Sequence, residues 1–338
     1  MTMQRYSRQM QFKKIGSEGQ EKLLAAKVAI VGIGALGTVI ANNLCRAGVG
    51  YLRLIDRDYV ELSNLQRQTL FTEADAHQQT PKAVAAGKQL QAVNSEITLE
   101  PVVADVNPAN VEKLIADVDL VVDGSDNFEV RYLVNEACVK TKTPWIYGGA
   151  IMSTGASLNI LPGETPCLRC VYPHAPAPGS YPTCSTAGVI NMITGITASI
   201  ESAEAIKILI GSPDVRQTMV TIDLWHNFTD YLDIKRSPDC PVCAHHQYER
   251  LGQSTGSYTT SLCGRDSIQV VPGTSVTLDL EAIAAKLKQA GRVKYNRFML
   301  RFSDDKIEFN LFPDGRAIIK NVKDESVAKS VYAEYIGL

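Results

Sequence analysis

The chain has 338 residues, of which 45% are hydrophobic and 21% charged, and its formal net charge is -2. This length supports a large buried core with a small second domain, and the composition excludes an intrinsically disordered chain. The near-neutral balance gives no global attraction to nucleic acid or to an anionic membrane, and neither is expected as a partner.

In chain order, the first residues, Met1-Thr2-Met3-Gln4-Arg5-Tyr6, lack the apolar run of a secretory signal, which predicts a cytoplasmic protein. Arg5-Tyr6-Ser7-Arg8-Gln9 opens a polar arm in which Arg5 and Arg8 read as solvated residues, and 16–25 reads as a short helix. The apolar run Val28-Ala29-Ile30-Val31 then feeds Gly32-Ile33-Gly34-Ala35-Leu36-Gly37, and a helix over 35–47 carries Val39, Ile40 and Leu44 on an apolar stripe. A strand, a glycine turn and a helix in succession aim backbone N–H groups and a positive helix end at one point, which makes a phosphate seat. Asp56 closes the next apolar run, 52–55, about 20 residues past the last glycine, where an acidic residue reaches a ribose. This describes a nucleotide site without selecting the nucleotide.

The stretch 58–68 has weak periodicity and is placed above the C-terminal ends of the strands, where ligands of open α/β sheets bind. Thr80-Pro81-Lys82 reads as a helix start, with Thr80 as cap and proline first in the helix, followed by Ala83, Ala86, Leu90 and Val93 on one face. A strand over 97–103, a helix over 110–116 and a strand over 119–122 come next. The last ends in Asp123-Gly124-Ser125-Asp126-Asn127 before a helix over 128–140. Alternating strands and helices of these lengths predict a Rossmann-like, doubly wound and largely parallel α/β sheet.

From Trp145 the pattern changes to strands without intervening helices, at 145–150, 157–161, 219–224 and 226–234. The apolar stretch 188–210 carries Asn191, Glu201, Glu204 and Lys207, which predicts a buried helix instead of a membrane span. Segment 173–182 is rich in proline and glycine and is expected to form a mobile loop over the site. The small polar stretch Gln253-Ser254-Thr255-Gly256-Ser257 divides a first domain, 1–252, from a second, 253–338. The latter reads as a small α+β unit: a strand at Ile268 and Val270, a helix at Leu280, Ile283, Ala284 and Leu287, three strands between Phe298 and Lys320, and a helix over 324–336. It carries no chemical constellation of its own.

The eight cysteines of a chain expected in the cytoplasm are thiols, metal ligands or catalytic groups, not a disulfide framework. Cys167-Leu168-Arg169-Cys170 and Cys240-Pro241-Val242-Cys243 are two C-x-x-C pairs. Together they offer four soft thiolates, the tetrahedral number that a structural zinc takes with no position left for substrate; a redox dithiol is the alternative. Cys45, Cys138 and Cys263 read as packing or bystander thiols. Cys184 ends the proline-rich loop just before the long helix, and a thiolate near a helix N-terminus is a candidate nucleophile.

Arg5-Tyr6-Ser7-Arg8-Gln9, the turn from Gly32 to Gly37, Asn64-Leu65-Gln66-Arg67-Gln68, Pro81-Lys82, Ser125-Asp126-Asn127, both C-x-x-C pairs and Thr183-Cys184-Ser185-Thr186-Ala187-Gly188-Val189 stand in one order along residues 3–247. In this the chain resembles the ThiF/MoeB family, bacterial relatives of the ubiquitin-activating enzymes. The resemblance implies a homodimer that uses ATP and Mg²⁺ to adenylate the C-terminal glycine carboxylate of a small ubiquitin-like sulfur-carrier protein, of the ThiS (thiamine) or MoaD (molybdopterin) type. It further implies Arg8, Arg67 and Lys82 as cations on the triphosphate, with Arg8 reaching the site of the other subunit. Asp126 would then hold Mg²⁺, Asp56 the ribose, Gly32, Gly34 and Gly37 the phosphates, and Asn64 and Gln66 other parts of the nucleotide. Cys184 matches the position of a cysteine that some members link to the carrier and others do not need. Two competing readings remain within reach of the same residues: adenylation of another peptide carboxylate, and, on the glycine turn and Asp56 alone, an NAD-dependent oxidoreductase. The C-terminal unit, outside the family's shared core, is either a docking surface for the carrier or a sulfur donor, or a stabilising appendage.

Overall fold

The computed structural model describes residues 3–174, 184–253, 258–261, 267–272, 276–322 and 324–337, with only the backbone at 184–185 and 258–261. The chain divides into two compact units, 1–253 and 254–338.

The first unit is built on eight strands: β1 (Lys27–Val31), β2 (Tyr51–Asp56), β3 (Thr98–Val103), β4 (Leu120–Asp123), β5 (Trp145–Ile151), β6 (Thr154–Ile160), β7 (Met219–Asp223) and β8 (Phe228–Leu232). They lie in the order β3-β2-β1-β4-β5-β6-β7-β8. The first five are parallel and the last three pair antiparallel, so the sheet is mixed. Its helices are α1 (Ser7–Met10), α2 (Gly16–Ala25), α3 (Ala35–Ala47), α4 (Glu73–Gln78), α5 (Lys82–Val93), α6 (Val111–Ile115), α7 (Phe128–Thr141), α8 (Leu168–Val171), α9 (Cys184–Ala187) and α10 (Asn191–Ile210). Alternation along β1 explains the double winding. Val28 and Ile30 join the core beneath α3, α5 and α10, while Ala29 and Val31 join the core beneath α6 and α7. A strand covered on both faces must be apolar throughout. Strand order reverses between β1 and β4, and open α/β sheets place their ligand crevice at such a reversal.

One expectation, the Thr80 cap, needs correction, and two others gain detail. The arm at Arg5 to Gln9 is docked: Tyr6 is buried, its hydroxyl accepts from Asn94 Nδ2 at 3.0 Å, and Gln9 Nε2 donates to Ala47 O at 2.9 Å. Arg5 and Arg8 themselves are exposed, as read. Thr80 does not cap α5; the cap position is Pro81, with no side-chain hydrogen bond. Thr80 O instead accepts from Val60 N, and Lys82 N donates to Asp58 O, so residues 80–82 are tied to 58–60 before the helix begins. The long helix is buried as expected, although it starts at Asn191. Glu204 is satisfied inside it by Asn159 Nδ2 and Arg216 N, at 2.6 and 2.9 Å. Among the described residues no helix is long and apolar enough to cross a membrane.

The second unit contains β9 (Tyr258–Ser261), β10 (Ser267–Val271), α11 (Leu280–Leu287), β11 (Arg292–Tyr295), β12 (Leu300–Ser303), β13 (Glu308–Leu311), β14 (Ala317–Lys320) and α12 (Glu325–Tyr335). Its six strands form one antiparallel sheet, β11-β12-β13-β14-β10-β9, two strands wider than the sequence pattern gives. Phe302, Phe309, Leu280, Leu287 and Val331 fill its core. Asp279 and Asp324 cap the two helices through N–H groups of their first turns.

Candidate active site

At the end of β1 the chain turns through Gly32, whose φ of +88° few side chains tolerate. A Cβ there would lie 2.7 Å from the backbone of Gly124, and one at Gly37 would lie 1.9 Å from Gly32 O. Two of the motif's three glycines therefore serve close packing of helix, turn and β4. Gly37, expected on the phosphates, does not line the cleft. Gly34 differs: it holds the cap position of α3, and a Cβ on it would meet only Gln68 Nε2 and Gly124 O, each at 3.8 Å. The open approach to the first turn of α3, with its unpaired N–H groups, is over Gly34.

From this seat a cleft of about 430 Å³ crosses the C-terminal ends of the strands. One end is charged, lined by Asp56, Arg57, Asp58, Arg67, Lys82 and Asp126. The other is lined by small and apolar groups, among them Gly149, Ala150, Gly155, Ala156, Val189 and Met219. Asp56 is fixed by Ile33 N and Asp58 N, each 2.7 Å from one of its carboxylate oxygens. Burial pushes its pKa up, while Lys82 works against that rise. Lys82 is itself buried, with Nζ 3.2 Å from Asp58 Oδ2. Burial opposes its charge, but Asp58, Asp56 and Asp126 more than compensate, so its pKa lies above the ordinary lysine value and the ammonium keeps its proton. The site thus holds a buried cation among three carboxylates.

The motif at 64–68 forms a short helical turn that sorts its side chains. Asn64 O accepts from Arg67 N and Gln68 N at 3.1 and 2.9 Å, which turns both residues toward the cleft. Asn64 Oδ1 accepts from Glu61 N at 3.0 Å, and the buried Asn64 side chain lies outside the lining. Gln66, expected on the nucleotide, is exposed and outside the cleft; Gln68, two residues on, is inside. Arg8 also lies outside its own chain's cleft and donates to Gln11 Oε1 at 3.3 Å.

Asp126 is exposed at the cleft, three residues past a buried ion pair that the sequence did not announce. Arg131 Nε lies 2.9 Å from Asp123 Oδ2, and Arg131 Nη2 donates to Ser125 O and Gly148 O at 2.6 and 2.8 Å. Burial pushes the Asp123 carboxyl up, countered chiefly by Arg131. The guanidinium thereby ties the loop before Asp126 to β5. Arg131→Met should cost about 3–5 kcal/mol, because it strands a buried carboxylate; urea unfolding measures it, and a loss below about 1 kcal/mol would contradict this role.

The four cysteines of the C-x-x-C pairs converge. Their sulfur atoms all lie within 4.8 Å of one another, with Cys167–Cys240 at 3.6 Å, Cys170–Cys243 at 3.5 Å and Cys167–Cys170 at 4.0 Å. Zinc–sulfur bonds of about 2.3 Å in a tetrahedron place sulfurs about 3.8 Å apart, so the set could hold zinc. Cys184 opens α9, but its side chain, the loop residues 175–183 and Cys263 lie outside the described residues. Cys45 and Cys138 are buried thiols, and burial raises both pKa values, that of Cys45 to about 11.

The family model of the ThiF family matches residues 6–242. The sulfur carrier protein ThiS adenylyltransferase of Bacillus subtilis (strain 168) is 40% identical over 336 residues, covering 98% of this chain and 99% of that protein. A sulfur carrier protein adenylyltransferase of Thermus thermophilus is 39% identical over 255 residues, covering 73% of this chain and 93% of its own length. Among solved structures, E. coli MccB with ATP superimposes with a TM-score of 0.63 at 26% identity, over 71% of this chain and 74% of that one. A match over most of the first unit, and a relative named as an adenylyltransferase that is 40% identical along nearly the whole chain, leave one assignment: the chain belongs to the ThiF family and is an adenylyltransferase.

Proposed function

We propose that this protein adenylates the C-terminal glycine carboxylate of a ubiquitin-like sulfur-carrier protein of the ThiS type, for thiamine biosynthesis, as a cytoplasmic homodimer. The observation that carries the ThiS branch is the extent of likeness. The Bacillus ThiS adenylyltransferase matches 98% of this chain, including the second unit, whereas the Thermus relative matches 73%.

The cleft suits this reaction. Its charged end offers a seat for a triphosphate, and its apolar end, walled by Gly149, Ala150, Gly155 and Ala156, admits an extended glycine-ended tail. A carboxylate is ionised at neutral pH and needs no base. One of its oxygens bonds to the α-phosphorus while the bond from that phosphorus to the bridging oxygen breaks, and pyrophosphate leaves. The barrier is the approach of anion to anion, which Lys82 and Arg67 lower by electrostatic stabilisation. Arg8, outside its own cleft, would serve the cleft of the second copy. Asp126, an exposed carboxylate in the cleft, has the hard oxygen donors that Mg²⁺ takes, and the ion when bound would spread phosphate charge. Asp56 would hold the ribose. Zinc at the four cysteines would be structural.

Carrier-dependent exchange of labelled pyrophosphate into ATP tests the reading. Exchange should appear with a ThiS-type carrier and be at least about tenfold slower with a MoaD-type carrier, a difference of about 1.4 kcal/mol. Exchange with the MoaD type alone would move the protein to molybdopterin synthesis, and none with either would overturn the proposal. Calorimetric preference for NAD over Mg-ATP would favour an oxidoreductase instead.

A further inference from the structure

The second unit is cationic along one edge without compensation. From 282 to 303 the sequence holds Lys286, Lys288, Arg292, Lys294, Arg297 and Arg301 and no acidic residue, in a chain whose formal net charge is -2. Strand β11 is the outermost of the six, so one side of its backbone has no partner strand. Its register sets the faces: Arg292 and Lys294 share one with Arg301 and Glu308, while Val293 and Tyr295 share the other with Phe302 and Leu300. Lys294 stands directly opposite Arg301, and like charges so placed destabilise a sheet. Between β13 and β14 the same sheet does the reverse, with Glu308 opposite Lys320. Glu308 is already shared by Arg301 and by Lys320 Nζ, the latter at 2.8 Å, and Arg292 and Lys294 are exposed with no ion pair among the described residues. Basic residues on an edge can serve only to block aggregation, and here they exclude a second copy of this strand, which would bring the same charges. That role does not account for a cation set against Arg301 inside the sheet.

We propose that β11 is a docking edge for an acidic polypeptide, which adds to the sheet as an extended strand and sets its carboxylates on Arg292 and Lys294. Residues two apart on a strand are separated by about 6.6 Å, so a strand with acids at alternate positions meets both cations. Its intervening apolar residues meet Val293 and Tyr295, the latter 43% exposed. Backbone hydrogen bonds along the edge supply affinity, and the alternation of acid and apolar side chains supplies selection. A nucleic acid or an anionic membrane would use the charge but not the unpaired backbone. The partner is a protein other than the carrier, a step that rests on the reading of this chain as a carrier-adenylating enzyme. The Thermus relative, itself named a sulfur carrier protein adenylyltransferase, matches 73% of this chain and 93% of its own length, and is too short to hold both units.

Fluorescence anisotropy on the full chain tests this, with a labelled peptide that alternates glutamate and valine over about eight residues. The peptide should bind with a dissociation constant below about 1 mM. It should bind at least about tenfold more weakly to the double variant Arg292→Glu, Lys294→Glu, which should in turn prefer a peptide with lysine in place of glutamate. Both positions are exposed and Lys294 faces a like charge, so the fold tolerates the changes. The milder pair Arg292→Gln, Lys294→Gln should lose about threefold, and thermal melts check both variants. Proline at the centre of the peptide, or the same residues with all glutamates in one block, should weaken binding by at least about fivefold. No binding of the alternating peptide, or equal affinity in wild type and variants, overturns the proposal. So does equal affinity for the alternating and blocked peptides, which leaves only diffuse charge attraction, or tighter, variant-sensitive binding of single-stranded RNA or phosphatidylserine vesicles, which makes the edge a phosphate site. Carrier-dependent pyrophosphate exchange should be unchanged in the double variant. A rise of more than about threefold in KM for the carrier would make β11 the carrier's dock and overturn the separate partner. Failure of the wild type to catalyse exchange would overturn the adenylation reading and leave the peptide result standing.

Discussion

Lys82→Ala is expected to lower the rate of adenylation by about 10²–10³-fold or more, at saturating ATP and carrier. The ammonium is the buried cation among Asp56, Asp58 and Asp126, and those three carboxylates are what keep it charged against the penalty of burial. Without it the charged end of the cleft turns net acidic, and a triphosphate approaching along it meets like charge. Lys82→Arg should not restore the rate. A planar guanidinium on a longer fork does not replace a compact ammonium in a space already closed by Asp58 at 3.2 Å. Pyrophosphate exchange reads the loss, and a circular dichroism melt separates it from unfolding, since the variant loses the buried Lys82–Asp58 contact. A rate within tenfold of the wild type would remove Lys82 from the chemistry.

Stripping metal from the four-cysteine cluster should have the largest effect on stability. The chain should carry one zinc, and its removal by a strong chelator, or Cys170→Ser, should lower the melting midpoint by at least about 10 °C. Structural zinc contributes an apparent 10–16 kcal/mol or so in small metal-dependent folds, and each kcal/mol moves the midpoint of a large domain by about 2–4 °C. The effect here is smaller than the full metal term because the surroundings persist without it: Leu168 and Trp145 are fully buried in the same core as Cys167, Cys240 and Cys243. A chain that binds no metal and forms a disulfide on mild oxidation would make the pairs a redox device.

The alternating pattern of the first unit was legible because the central strand β1 is apolar over its buried length, β4 is apolar over 120–122, and the helix at 35–47 carries one apolar stripe. The helix at 35–47 matches its expected bounds, and the strands differ from theirs by a few residues. What stayed hidden depended on contacts between distant segments. The extended pairing of 80–82 with 58–60 displaced the Thr80 cap, and no local signal records that partner. Strand β11 reads Arg-Val-Lys-Tyr, an edge strand with a single partner and one half-buried valine, so it lacks the apolar run that marks a strand. In the site, the resemblance to the ThiF/MoeB family implied Asp56, Arg67, Lys82 and Asp126 at one nucleotide, and the fold brings all four to the cleft. That Gln68 and not Gln66 lines the cleft depends instead on which way a short turn faces, which the hydrogen bonds to Asn64 O determine. The Asp123–Arg131 pair spans one helical turn and a strand end, and an arginine in a helix gives no notice that it is buried.

The mutual contact of Gly32, Gly37 and Gly124 bears on how this site can change over time. An added methyl group on any of the three would run into the backbone of another: on Gly32 into Gly124 at 2.7 Å, and on Gly37 and Gly124 into Gly32 O at 1.9 and 2.2 Å. A substitution at one cannot be relieved by shrinking another, because none has a side chain to lose. The joint between the phosphate seat and the loop bearing Asp126 is therefore a dead end for stepwise variation, closely packed backbone against backbone. A ligand entering such a joint meets groups already in place and gives up little ordering free energy on their behalf, so new substrates are more readily reached by altering the apolar arm of the cleft than by altering its phosphate end.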